Sequence, residues 1–73
     1  MSYTKDNIPK ELIEAARFIS EDKLKKAEPI LRGYLKDYPL DVNAMKLLGD
    51  IGVKFRAYKD AGYLFSRALD LSP

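Results

Sequence analysis

Residues 42–73 of the chain read VNAMKLLGDIGVKFRAYKDAGYLFSRALDLSP, and apolar side chains recur in this stretch at steps of three and four residues. That spacing is typical of amphipathic helices, because a strand would show alternation instead. It predicts one helix over residues 42–55 and a second over residues 57–71. Gly49 and Gly52 fall inside the first of these helices, where each costs about 1 kcal/mol relative to alanine, so we expect another helix to cross closely there.

The first half of the chain shows the same spacing and predicts helices over residues 8–20 and 23–37, which makes the fold all-α with four antiparallel helices. Pro29 lies inside the second of these segments, where a proline removes one backbone hydrogen bond. Either this helix begins later than residue 23 or it kinks at Pro29, and the positions of Leu24 and Ala27 favour the kink. The side chains predicted to cap the helices belong to Asn7, Ser20 or Asp22, and Asp41.

A shift of 34 residues places the first helix pair on the second. Under this shift apolar residues fall on apolar residues, as Ile19 does on Val53. A period common to both helix pairs predicts a repeat architecture, in which the units bury their apolar faces against each other. The identical pairs are Lys25 and Lys59, Ala27 and Ala61, Leu35 and Leu69, and Pro39 and Pro73. The predicted organisation is a leader over residues 1–7 and one domain over residues 8–73, with repeats at 8–41 and 42–73.

The composition narrows the possible functions. The chain has 73 residues, which is enough for one small domain, and contains neither cysteine nor histidine. The usual zinc ligands, the thiolate nucleophile and the best proton-transfer side chain near neutral pH are therefore missing, so we expect no enzyme activity, metal or cofactor. No apolar stretch approaches the ~20 residues of a membrane span or forms a signal-peptide core, and we expect a cytoplasmic protein.

The helix pairs resemble the tetratricopeptide repeat family, whose unit is a helix–turn–helix of this period. The positions that carry the resemblance are Ala27, Leu31, Pro39, Leu48, Gly49, Tyr58, Ala61, Phe65, Ala68 and Pro73. Met45 stands where the family has an aromatic residue, and Glu11 and Glu14 stand where the first unit should have large apolar residues. The resemblance implies a short right-handed solenoid of two units and a function in protein binding.

Two positions depart from the family pattern in opposite directions. Tyr34 stands where the family usually has a small residue, and Gly52 stands where it usually has a large aromatic one. We therefore predict that the Tyr34 ring crosses the boundary between the units and lies within about 4.5 Å of Gly52.

In this family the first helix of each pair lines a concave groove that binds a peptide or helix of another protein. The matching positions here are Leu12, Ala16, Ile19, Asn43, Lys46, Asp50 and Val53. Of the lysine and asparagine clamp that binds chaperone C-terminal tails in this family, only Lys46 is matched, so we do not expect such tails as ligands. A groove that is apolar in its first half and mixed in its second suits an amphipathic helix or an extended segment, although each position is equally well explained as packing or neutral surface.

Two other function classes have weaker support. Glu11 and Glu14 are one helical turn apart, but without histidine or cysteine beside them an ordinary solvated face explains the pair better than a metal or acid–base site. A basic set near Tyr34 and Tyr38 offers contacts to nucleic acid, yet neighbouring carboxylates screen it, and we do not expect nucleic acid as a partner. This basic set consists of Lys23, Lys25, Lys26 and Arg32.

The last predicted helix has an apolar edge at Phe65, Leu69 and Leu71 with no following helix to cover it. Stacked repeats generally need about three units to be stable. We therefore expect a homo-oligomer that associates through this edge, or a chain that serves as the docking or oligomerisation segment of a longer enzyme or repeat protein. The function predicted from the sequence is a non-catalytic protein-interaction module with a protein or peptide partner.

Overall fold

The computed structural model describes residues 8–72, and within that range it contains four helices and no strand. The helices are α1 (Lys10–Ser20), α2 (Leu24–Asp37), α3 (Val42–Lys54) and α4 (Tyr58–Leu71). The all-α class and the four predicted helices are confirmed. Helix α1 begins at Lys10 rather than at residue 8, because Pro9 occupies the N-cap position instead of the first turn. The predicted cap Asn7 and the terminal Pro73 lie outside the described residues.

The turn that joins α1 to α2 has the same backbone geometry as the turn that joins α3 to α4. In the first turn the amide of Lys23 donates to the carbonyl of Phe18 at 2.7 Å, and Asp22 adopts a left-handed φ of 61°. In the second turn the amide of Ala57 donates to the carbonyl of Gly52 at 2.7 Å, and Arg56 has a φ of 61°. These are Schellman-type helix ends, which satisfy carbonyls that the helix leaves unpaired. The 34-residue period of the sequence is therefore present in the backbone.

The helix starts differ in how they are capped. Asp41 caps α3 as predicted, because its Oδ1 accepts a hydrogen bond of 3.0 Å from the amide of Ala44. The prediction that Ser20 or Asp22 caps α2 is wrong, since Lys23 occupies the N-cap position and no side chain accepts a capping hydrogen bond there. Asp22 instead supplies the left-handed residue of the turn.

The core lies between α1, α2 and α3, whereas α4 approaches only α3 among the described helices. No charged side chain is buried within residues 8–72, so burial of apolar side chains is the main source of stability in this core. The buried residues of the core are Leu12, Ala15, Leu24, Ala27, Leu31, Tyr34, Ala44, Leu48 and Ile51. Helix α4 adds Ala61 and Ala68, which are buried against α3.

Two glycines of α3 allow α4 to come close. A Cβ atom at Gly49 would lie 2.8 Å from Cζ of Phe65, and one at Gly52 would lie 3.2 Å from Cβ of Ala61. Both distances are shorter than ordinary van der Waals contacts, so a larger side chain would push the helices apart. The predicted close crossing at these glycines is confirmed, and the crossing helix is α4.

The predicted contact between Tyr34 and Gly52 is wrong. The buried Tyr34 hydroxyl donates a hydrogen bond of 2.9 Å to Oδ2 of Asp41, at the first turn of α3. Gly52 is 11 residues after Asp41, which corresponds to about 16 Å at the rise of an α-helix and is beyond the reach of the ring. Ala61 and Ala57 of the second unit occupy the space beside Gly52 instead.

Pro29 lies inside α2 and is exposed. The helix begins at Leu24, one residue later than predicted, so the later start is too small to move Pro29 out of the helix interior. A kink at the proline stays a prediction.

We expect the Pro29→Ala variant to be more stable than the parent protein by about 2 kcal/mol. The variant regains a backbone N–H donor and loses the clash of the proline ring with the preceding turn, which together contribute about 3 kcal/mol. Roughly 1 kcal/mol of this gain is lost because the unfolded chain becomes more flexible without the proline. Urea denaturation at one low protein concentration measures the difference. Pro39→Ala is the matched control, since Pro39 lies in an exposed turn, and its loss should lower stability by about 0.4–1 kcal/mol. A loss of stability in Pro29→Ala would show that the packing of α2 requires the proline.

We expect Tyr34→Phe to lower the free energy of unfolding by about 1.5–3 kcal/mol, because the variant removes the charge-assisted hydrogen bond that the tyrosine hydroxyl donates to Oδ2 of Asp41. Tyr38→Phe is the control, since the two rings lie against each other with centroids 4.8 Å apart and Tyr38 is exposed. Its stability should stay within about 0.5 kcal/mol of the parent. Equal effects of the two substitutions in urea denaturation would contradict the role of the Tyr34 hydroxyl.

Candidate functional site

The structure places the seven predicted groove residues in three different environments. Leu12 is buried in the core, so it packs the helices and is not available to a ligand. Ile19 is half-buried and packs against the same core, while Ala16 is exposed. On α3 the structure leaves a continuous exposed row, whose members are Asn43, Lys46, Asp50 and Val53. The exposed part of the groove is therefore mostly polar, and its predicted apolar first half is reduced to one small side chain and part of another.

The basic set at the start of α2 is largely paired. Lys23 Nζ lies 3.2 Å from Oε1 of Glu21, and Arg32 Nη2 lies 3.1 Å from Oε2 of Glu28. The Lys26 ammonium lies 5.8 Å from the centre of the Phe18 ring, within cation–π range. Tyr34, one of the two aromatic residues expected beside this set, is buried and cannot stack on a base. The arrangement favours a solvated protein surface over a nucleic-acid interface.

A shallow depression of 430 Å³ lies beside the same basic residues, between the first turn and the end of α3. Lys25 and Phe55 line it together with Asp22, Lys23, Leu24 and Lys26. Its wall is open and contains no buried polar side chain aimed at a ligand.

The acidic residues do not form a metal site in the part of the chain that the structure describes. No group of three or more carboxylates, histidines or cysteines comes together between residues 8 and 72. Glu14 is exposed and Glu11 is half-buried on the surface of α1.

The largest apolar side chains left exposed on one helix face belong to α4. We define the outer face of α4 as Tyr58, Gly62, Phe65 and Leu69, which are spaced by four, three and four residues and share an arc of about 60° at 100° per residue. Tyr58 is 63% exposed and Leu69 is 64% exposed, whereas Phe65 is half-buried with its ring edge on Gly49. Gly62 has no neighbouring atom within 4 Å of the position that a Cβ would take.

The equivalent positions on α2 are covered. A shift of 34 residues relates Tyr58 and Leu69 to Leu24 and Leu35, of which Leu24 is only 9% exposed and Leu35 is half-buried. The residue equivalent to Phe65 is Leu31, which is fully buried. Helix α2 differs from α4 in packing against both α1 and α3, so the outer face of α4 exposes positions that are covered in the first unit.

The predicted self-association edge is revised by this geometry. Phe65 and Leu69 belong to the outer face, but Leu71 is two residues further on and therefore lies about 200° around the helix from Leu69. Leu71 is exposed, but on another side of α4. The outer face contains Tyr58 and Gly62 instead of Leu71. The spacing of four, three and four residues from Tyr58 to Leu69 is the sequence signal that identifies these two positions.

The opposite end of the helix stack has a different chemistry. The residues that α3 contributes to the core are Ala44, Leu48 and Ile51. Their equivalents 34 residues earlier on α1 are Lys10, Glu14 and Arg17, and all three are exposed. Ile13, whose equivalent on α3 is the half-buried Leu47, is exposed on the same side, so this side of α1 is mainly charged where that of α4 is apolar.

None of the helices between residues 8 and 72 has the length and apolar character needed to cross a bilayer. No family model matches the chain, and no curated protein or solved structure is similar to it.

Proposed function

We propose that this protein is a non-catalytic interaction module of two tetratricopeptide-like units that binds a helix of a protein partner on the outer face of α4. The observation that carries the proposal is the contrast in burial between equivalent positions: Leu24 is buried and Tyr58 is exposed, although a shift of 34 residues relates them. A surface that takes a helix in the first unit is thus repeated without one in the second.

Three features support the two-unit, solenoid-like arrangement. The Schellman-type turns recur with the sequence period, successive helices pack on one another, and α1 also approaches α3. Nearest-neighbour packing of this kind is typical of repeat proteins, in which each unit is completed by the next. A partner helix on α4 would occupy the position that α3 occupies on α2.

The outer face of α4 is a better helix-binding surface than the predicted groove. A few side chains supply most of the binding energy in protein interfaces, tyrosine prominent among them, and burial of exposed apolar side chains such as leucine adds to it. Tyr58 and Leu69 meet this description, whereas the exposed groove row on α3 contains Asn43, Lys46 and Asp50. A helix with apolar residues at steps of three and four fits the outer face.

The test extends the full chain by a second copy of residues 40–56, which continues the repeat because Pro73 stands in the place of Pro39. If α4 accepts a helix, circular dichroism should show the added residues as helical. The free energy of unfolding should rise by about 1–3 kcal/mol, the scale of burying one further large apolar side chain.

The control variants are Leu69→Glu and Tyr63→Glu, two substitutions at exposed sites of α4. Leu69 lies on the outer face and Tyr63 does not, so Leu69→Glu should abolish the gain in stability and Tyr63→Glu should preserve it. In the chain without the extension, at protein concentrations too low for association, both substitutions should change stability by only about 0.5 kcal/mol. An added segment that stays unfolded, with no change in stability, would refute helix binding on α4.

A further inference from the structure

The geometry points to a second copy of this chain as the partner: we propose that two α4 helices pack antiparallel across a twofold axis through their outer faces. This inference rests on the proposed function, because it names the helix that the outer face of α4 binds. It requires that the face be complementary to itself, since a twofold interface places each residue opposite its counterpart from the other copy.

The outer face is symmetric about the midpoint between residues 63 and 64. In an antiparallel pair centred there, Tyr58 lies opposite Leu69 of the second copy, and Gly62 lies opposite Phe65 of the second copy. Large side chains therefore meet at the two ends, while in the middle the aromatic ring meets a glycine. One edge of the Phe65 ring lies on Gly49 of its own chain, so the exposed part of the ring is what faces Gly62 of the second copy. The space over Gly62 can accommodate this part of the ring, because nothing in the chain lies within 4 Å of the Cβ position.

The charges beside the face are also complementary. Lys59 and Asp70 are 11 residues apart, so they lie in one row along the same side of the outer face. Neither forms an ion pair within residues 8–72. In the antiparallel pair the twofold axis brings Lys59 of each copy level with Asp70 of the other, with an axial offset of about 3 Å. Two symmetric intermolecular ion pairs therefore form between Lys59 and Asp70, at the rim of the apolar contact.

The same chemistry disfavours the alternative in which copies stack head to tail. In that arrangement α1 of one copy would cover α4 of the next, as α3 covers α2. The side of α1 that would face Tyr58 and Leu69 carries Lys10, Glu14 and Arg17, and burial of unpaired charges against apolar side chains is unfavourable. The association is therefore expected to close at a dimer.

Sedimentation equilibrium of the full chain over a range of concentrations tests the stoichiometry, and charge reversal tests the pairing. Lys59→Asp or Asp70→Lys alone places like charges opposite each other at two symmetric points, and each should raise the dimer dissociation constant on the order of tenfold. The double variant restores opposite charges and should return the constant to near that of the parent.

These substitutions also guard against a purely structural explanation. Lys59 is in the first turn of α4 and Asp70 is in the last, so an aspartate at 59 and a lysine at 70 both suit the helix dipole better than the native residues. The single variants should therefore stay folded, with unchanged helix content, while the dimer weakens. Single variants with the parent's dissociation constant, or a double variant no better than the singles, would contradict the antiparallel pairing.

Gly62→Ala provides an independent test of the close approach, with Gly33→Ala as its matched control. Both glycines are exposed within helices and have open space at the Cβ position, so either alanine should raise the stability of the monomer by about 1 kcal/mol. Only Gly62→Ala should weaken the dimer, by several-fold. Equal dissociation constants for the two variants would exclude Gly62 from the interface.

The stoichiometry also separates this inference from the proposed function. A chain that remains monomeric at millimolar concentration overturns the second-copy proposal. If the full chain is monomeric but the extended chain still binds its added helix, the proposed function is supported and only the second-copy proposal is refuted. If the full chain is monomeric and the added helix stays unfolded, both are refuted. Oligomers that grow beyond the dimer with concentration would favour head-to-tail stacking and refute the twofold pair.

Discussion

The hydrogen bond between Tyr34 and Asp41 holds the second helix pair in a fixed position relative to the first. The Oδ2 atom of Asp41 accepts from the buried tyrosine hydroxyl, and Oδ1 of the same carboxylate accepts from the first turn of α3. One side chain therefore fixes the end of α2 and the start of α3 together. The apolar contacts between Leu31 and the buried face of α3 follow from that relative position, because a rotation of either helix would expose them.

The sequence predicted the helices well because their positions depend on local properties. Apolar spacing sets which face is buried, Pro39 ends α2, and Gly49 signals a close crossing whichever helix makes it. The contact of Tyr34 differs from the predicted one because the hydroxyl of this side chain, rather than the volume of its ring, decides its partner. A buried hydroxyl needs a hydrogen-bond partner, and Asp41 was already in reach across a short turn.

The candidate site was harder to predict from the sequence than the fold. Leu12 was expected to line a groove, yet with Ala15 it is one of the two buried residues of α1 and packs in the core. Leu71 is close to Leu69 in sequence but lies on another side of the helix. Burial depends on which helices are neighbours in space, and the apolar pattern of one helix does not show which of its sides is covered. The contrast between the mainly charged side of α1 and the apolar side of α4 depends on which sides the neighbouring helices cover, and this is a property of the three-dimensional structure.

The shallow burial of α4 also affects how the free chain resists degradation. Its buried residues are two alanines, and the larger apolar side chains Leu64 and Phe65 are only half-buried. Four residues of α2 are buried by comparison, so we expect α4 to open locally more readily than α2 and to be more susceptible to a protease. A bound helix would protect α4 from degradation, so the lifetime of the chain in a cell would depend on its occupancy. Where that helix belongs to a second copy, as in the dimer inferred above, free monomers would be removed faster than dimers.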